Sequence, residues 1–452
     1  MGSHPPLLTI LEKATVSPPS ATGVEKSLSL TYFDFLWLTQ PPIHNLFFYD
    51  LSIDETHFIE TIIPSLKNSL SITLQHFYPF AGNLFLFPDN KKPEIRYLEG
   101  DSVPITFAKS DLDFNDLVGN HPRDCDQFYD LTPPLPDSLK TSDFRKIPLF
   151  SVLVTVFPQK GVSIGMTNHH SLGDASTRFC FLNAWTSISR SDSDELFLAN
   201  GAKPFYDRVI NNPKLDQNYL KFSKIDELYE KYQPLSLSKP SNKLRGTFIL
   251  TRKVLNELKK SVITALPTLP YVSSFTVACG YIWSCIAKSH NDDPQLFGFT
   301  IDCRARLDPP VPSTYFGNCV GGCMALAKVT ELSGDDGFLT AAKLLGETLH
   351  KTLTESGGII KDIGEIGDLI KNGMPKTIIG VAGTPKLKFY DETDFGWGRP
   401  KKVETISIDY NMSFSMNASR ESNDDLEIGL SLMDHEMKAF VRFFDEGLKA
   451  YV

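Results

Sequence analysis

The segment of this 452-residue chain best equipped for chemistry is His170-Ser-Leu-Gly-Asp174, directly preceded by His169. His170 follows an apolar strand-like run (162–167, VSIGMT) and precedes a helix-like one, so it projects into a cleft. Its ordinary pKa near neutrality suits it to take a proton from an attacking hydroxyl. Asp174 has two readings: an orienting partner for His170, or a cap in the first turn of the following helix. Gly173 interrupts the regular spacing between the two. A second segment, Asp394-Phe-Gly396-Trp397-Gly398, describes a tight backbone path around one anchoring aromatic side chain, which reads as a structural turn. A third, Asp302-Cys-Arg304-Ala-Arg306, ends a strand in charges and runs into Tyr315-Phe-Gly-Asn-Cys319. Gly161-Val-Ser163-Ile-Gly165 has the spelling of a hydrolase nucleophile elbow, but Ser163 sits inside an apolar strand rather than at a strand-to-helix turn. The seven cysteines lack paired metal spacing, so no metal site is expected.

The elements that must hold these residues follow from periodicity. Helical spacing marks 54–75, 174–188, 252–265, 273–288, 336–353 and 433–449, and strand-like runs mark 94–98, 103–108, 149–156, 162–167, 245–251 and 296–302. A strand-rich region spans 376–431, and 190–243 is polar and punctuated by Pro and Gly. Alternating helices and strands predict an α/β protein of two domains, 1–195 and 244–452, joined by a crossover at 196–243.

Bulk properties set limits. A formal charge of −9 gives no global field for nucleic acid or an anionic membrane. No apolar run approaches the ~18 residues of a bilayer span, and the N-terminus lacks a signal-peptide pattern. An odd set of cysteines in apolar contexts points to a reduced, cytoplasmic protein, with a monomer as the default.

Taken together, the His170–Asp174 and Asp394–Gly398 motifs, Leu30-Thr-Tyr-Phe-Asp-Phe and His76-Phe-Tyr-Pro-Phe-Ala-Gly-Asn resemble the BAHD family of plant coenzyme A-dependent acyltransferases along essentially the whole chain. Tyr315–Cys319 is similar to the marker of the clade acting on flavonoid and anthocyanin glycosides, and 169–180 is similar to its malonyl-transferring members. The resemblance implies two chloramphenicol-acetyltransferase-like domains with a solvent channel between them. Coenzyme A enters from one face and the glycoside from the other, meeting at His170. It implies that His170 is the general base, that Asp174 and Asp394 are structural, and by analogy that Asp394 pairs with an arginine of the Asp302–Arg306 segment, Arg304 before Arg306. It also implies malonyl-CoA as co-substrate, with no permanently bound cofactor, and a glucose 6''-hydroxyl as acceptor. No side chain at the site is an obvious covalent nucleophile, so transfer is expected to be direct.

Arg178 bears on the donor. A helix starting near 173 aims it toward His170, where a guanidinium would pair bidentately with the distal carboxylate of a malonyl group. The other reading of the spacing is an exposed i,i+4 pair with Asp174. The malonyltransferase resemblance favours the first. Ser273, Ser274 and Phe275 at a helix start, with Thr251, Arg252, Lys259 and Lys260 nearby, are the candidates for coenzyme A phosphates. Two alternatives stay open: a hydroxycinnamoyl-CoA-dependent enzyme on the same acceptors, and an inactive homologue that only binds.

Overall fold

A computed structural model describes residues 8–20, 25–89, 91–210, 212–355, 359–360 and 374–451. Three mixed or antiparallel sheets organise them. The first runs in the order Leu8–Val16, Val103–Ser110, Phe150–Phe157, Gly161–Asn168, Ile43–Asp50 and Lys402–Thr405. Phe150–Phe157 lies at its centre and is buried at every position, which explains an apolar run without alternation. Its antiparallel neighbour Gly161–Asn168 ends in the site histidines. Ser163 lies mid-strand opposite Thr155 and Phe48, fully buried, so no nucleophile elbow exists there.

The second sheet runs Val320–Ala327, Gln295–Asp302, Thr377–Ala382, Phe414–Ala418, Leu426–Met433, Lys243–Leu250 and Arg123–Asp124. A smaller third sheet pairs Glu25–Ser29, Glu94–Leu98, Asn83–Leu86, Arg145–Pro148 and Leu139–Lys140. The expected helices appear as Ala175–Ser191, Arg252–Ala265, Ser274–Ser289, Gly337–Thr354 and Asp434–Leu448. The stretch expected at 54–75 is helical from Glu55 to His76 but contains a π turn, Phe58–Ile62. Pro64 lies in the first turn of the helix that follows, Ile63–His76, and has no N–H to donate back into the π turn.

The linear division at 195 and 243 needs two corrections. Lys402–Thr405 belongs to the first sheet, paired with Ile43–Asp50, and Arg123–Asp124 belongs to the second, paired with Lys243–Leu250. Each half thus lends a strand to the other. Buried ions rivet the exchange: Arg123 donates to Glu404 at 2.8 Å, and Arg245 donates to Glu404 at 3.2 Å and to Asp409. The segment 196–243 is not a bare crossover either. Helices Pro213–Phe222 and Ile225–Lys231 dock Tyr219, Ile225 and Tyr229 onto the first core. Asn212 caps the former, and Pro213 occupies its first turn, where a missing N–H costs nothing.

Candidate active site

Strand Gly161–Asn168 delivers two histidines with different roles. His169 is buried and caps the 3-10 turn His170–Leu172, its Nδ1 accepting the Ser171 N–H at 3.2 Å. His170 is half-buried, and its ring stacks on Trp37 with centroids 4.0 Å apart and planes 14° from parallel. Its Nδ1 is buried without a regular hydrogen-bond partner among the described residues. Burial first, and then the charge of Arg178, push the His170 pKa down to about 3, partly offset by its own backbone carbonyl. The imidazole is therefore neutral at pH 7 and available as a base. An aromatic face, not a carboxylate, orients it.

Asp174 turns to other partners. It caps Ala175–Ser191 by accepting the Thr177 N–H at 3.1 Å, which Gly173 makes possible: at φ 156° its missing Cβ would lie 2.6 Å from the Thr177 side chain. Both carboxylate oxygens then accept from Arg304, at 2.8 and 3.0 Å, and Oδ2 also accepts the Cys319 N–H at 3.0 Å. Burial alone would weaken the Arg304 charge, but Asp174 outweighs it and holds the guanidinium protonated. Arg304 also donates to the Asp302 carboxylate at 3.2 Å and to the Tyr315 and Gly317 carbonyls at 3.0 and 3.2 Å. The expected pairing of Arg304 with Asp394 is thus overturned: Arg304 serves the His170 motif. Asp394 accepts the N–H groups of Gly396 and Gly398 at 2.7 and 2.8 Å inside its own loop, and its nearest cation is Arg190 at 4.0 Å. Trp397 anchors that loop edge-on to Tyr49 and stacked on Phe395.

The Tyr315–Cys319 segment closes the back of the site. Asn318 donates its side-chain amide to the His170 carbonyl at 3.2 Å and to Asp34 at 3.1 Å. Asp34, wholly buried, also accepts from the Asn318 backbone and from Thr31. Two segments 284 residues apart thereby fix the backbone that carries His170.

Arg178 does not form the exposed pair with Asp174. It is half-buried, its Nη1 donates to the Gly173 carbonyl at 3.2 Å, and no carboxylate among the described residues lies within ion-pair distance. Burial pushes its pKa down to about 10 against the opposing pull of Asp174. It faces a small cavity shared with Asn45, Phe47, Met166, Asn168 and Phe389. A far larger cavity of about 1050 Å³ is lined largely by aromatic and aliphatic side chains, among them Tyr32, Phe33, Trp37, His169, Tyr232 and Met324. His170 itself lies beyond the walls of both cavities, but its neighbours line them.

A family model described as the Transferase family matches residues 7–446. The chain is a BAHD-family acyltransferase. It is 48% identical to a malonyl-coenzyme A:anthocyanin 3-O-glucoside-6''-O-malonyltransferase of Dahlia pinnata, covering 99% of each chain. It is 40% identical to phenolic glucoside malonyltransferase 1 of Nicotiana tabacum, over 91% of this chain and 92% of that one. Among solved structures, vinorine synthase superposes with a TM-score of 0.68 at 18% identity, over 98% of both chains. F. sporotrichioides TRI101, solved with coenzyme A and T-2, gives 0.62 at 16% identity over 94% of this chain and 98% of that one. These two share the fold of the acyltransferase, two chloramphenicol-acetyltransferase-like domains. No helix among the described residues is long and apolar enough to cross a membrane.

The residues expected to meet coenzyme A phosphates are only partly gathered in this acyltransferase. Lys259 reaches the Ser274 hydroxyl at 3.4 Å. Ser273 and Thr251 are committed as helix caps, accepting the Thr276 and Val254 N–H groups. Phe275 packs on Phe299. Arg252 is paired with Asp424 at 2.6 Å, and Lys260 faces Glu257 on the surface at 3.7 Å. None of the seven lines either cavity. Sequence reading missed Trp37, Asp34 and Asn318 as parts of the site. Asp34 carries a local signal, a capping box with Thr31; an aromatic such as Trp37 reads equally well as core.

Proposed function

We propose that this enzyme transfers a malonyl group from malonyl-CoA to a sugar hydroxyl, the glucose 6''-OH, of an anthocyanin or related flavonoid glycoside. The observation that carries the donor is Arg178, a half-buried guanidinium within electrostatic reach of His170 and lacking a carboxylate partner among the described residues. The distal carboxylate of malonyl-CoA would supply that partner, and a neutral aromatic acyl group would leave the cation unpaired. The large apolar cavity beside Trp37 and His169 suits a flat polyphenol, and the 48% identical relative bears the name of this reaction.

His170 accepts the proton of the sugar hydroxyl as its oxygen attacks the thioester carbonyl. The carbonyl π pair moves onto oxygen to give a tetrahedral oxyanion. On collapse the C–S bond breaks, the ester carbonyl reforms, and the thiolate leaves, taking the proton back from the imidazolium as free coenzyme A. A neutral resting imidazole held against Trp37 is ready for the first step without prior deprotonation. The enzyme is read as a cytoplasmic monomer in which malonyl-CoA is a co-substrate and no cofactor stays bound.

The test is steady-state turnover of cyanidin 3-O-glucoside with malonyl-CoA against p-coumaroyl-CoA. His170→Ala should lose roughly 10²–10⁴-fold in kcat. Arg178→Ala should lose about 30-fold or more in kcat/KM for malonyl-CoA alone. A wild-type preference for p-coumaroyl-CoA, or an Arg178→Ala enzyme with unchanged donor preference, would overturn the donor assignment.

A further inference from the structure

The small cavity at Arg178 holds only about 20 Å³, room for roughly one water-sized group. Its far walls are aromatic: Phe47 and Phe181 are fully packed, whereas Phe389 is half-buried and lies edge-on to Phe179 and tilted against Phe47. We infer that Phe389 gauges the chain length of the acyl donor, admitting the three-carbon diacid and excluding longer ones. This rests on the reading that Arg178 binds the donor's distal carboxylate. With the carboxylate pinned at the guanidinium and the thioester at His170, an added methylene is pressed into this cavity, against Phe389.

The wall is held by the helix that carries Arg178. Asn183 and Thr186, further along Ala175–Ser191, donate to the Glu392 carbonyl at 3.1 and 3.4 Å and so dock the short helix Phe389–Glu392. Tyr49 clamps the next carbonyl, that of Thr393, at 2.9 Å. Asp394 then begins the loop that Trp397 anchors, with Arg190 of the same long helix 4.0 Å away. The Asp394–Gly398 motif thereby fastens Phe389 at a fixed distance from Arg178. The Phe389 ring packs on Phe47 and Phe179, whereas His170 rests on Trp37, so widening the wall leaves the base in place.

The experiment compares kcat/KM of the full chain for malonyl-, succinyl-, glutaryl- and acetyl-CoA with one acceptor, in wild type, Phe389→Ala and Phe389→Leu. Ratios within one variant are independent of how much of it is folded; the Leu variant serves if the Ala variant does not fold. Wild type should favour malonyl-CoA over succinyl-CoA by roughly tenfold or more, the scale of one misplaced methylene. Phe389→Ala should shrink that ratio at least fivefold, while acetyl-CoA stays poor because Arg178 still demands a carboxylate. Equal use of succinyl- and malonyl-CoA by wild type, or an unchanged ratio in the variants, overturns the gauge and leaves the malonyl assignment standing. Equal use of acetyl- and malonyl-CoA overturns the Arg178 reading, and the gauge with it.

Discussion

Asp174 and Asp394 each belong to a glycine-containing five-residue motif, yet they do different physical work. The Asp174 side chain is 7% exposed, and its partner Arg304 is 3% exposed. Their bidentate contact joins the turn after His170 to Tyr315–Cys319 from the other half of the chain. The Asp394 side chain is 27% exposed, satisfies two N–H groups of its own loop, and faces an Arg190 that is 50% exposed. A carboxylate's weight is thus set by whether losing it strands a buried charge. Around Asp174 it would; around Asp394 water replaces what is lost.

The largest expected effect follows directly. Asp174→Ala leaves buried Arg304 with only the half-exposed Asp302 carboxylate, at 3.2 Å, to offset its charge, and should cost about 3 kcal/mol in urea unfolding. Adding Arg304→Met should restore part of that loss; if the two substitutions simply add, Asp174 and Arg304 do not act as a coupled buried pair. Acid separates the two regions next. Burial pushes His169 and His44 down to about 4 from an ordinary 6.5, and His44 bonds Thr167 at 2.8 Å on the strand leading to the site. Between pH 6.5 and 4 the unfolded chain binds protons that the folded one refuses, so stability is full above 6.5 and falls as pH drops toward 4. Melting temperature against pH should show this decline, and His44→Gln should flatten it. A further substitution probes the weaker side: Asp394→Ala should cost only about 1 kcal/mol, because the freed N–H groups are reachable by water. The smallest effect is Arg190→Ala, roughly 0.5 kcal/mol or less and vanishing with added salt, since its pair with Asp394 is long and solvated. A loss from Arg190→Ala as large as that from Asp174→Ala would erase the distinction between the two regions.

How much of this was legible beforehand differs from element to element. Arg252–Ala265 is read from its apolar period almost to the residue, because an amphipathic helix writes its own buried face into the sequence. Val320–Ala327 escaped because two glycines and a cysteine near its start carry little strand signal, and pairing with Gln295–Asp302 supplies what propensity lacks. Pro213–Phe222 was hidden in a polar stretch, where Tyr219 is the only wholly buried side chain of its helix. At the site, His170 and its placement between strand and helix were legible, since both depend on neighbours in the chain. Of the two readings of Arg178, the exposed pair with Asp174 is not formed, because both Asp174 oxygens already accept from Arg304.

What the sequence determined by itself is therefore local: the periods of helices and strands, the base at a strand end, and the cap that starts the next helix. Tertiary structure alone decided that Arg304 answers Asp174 rather than Asp394, that Lys402–Thr405 completes a sheet begun in the first half of the chain, and that Trp37 rather than a carboxylate steadies His170. The physical reason is desolvation. Several charged and aromatic side chains could satisfy one another on paper, and only the packed chain determines which of them lose water together and must pair.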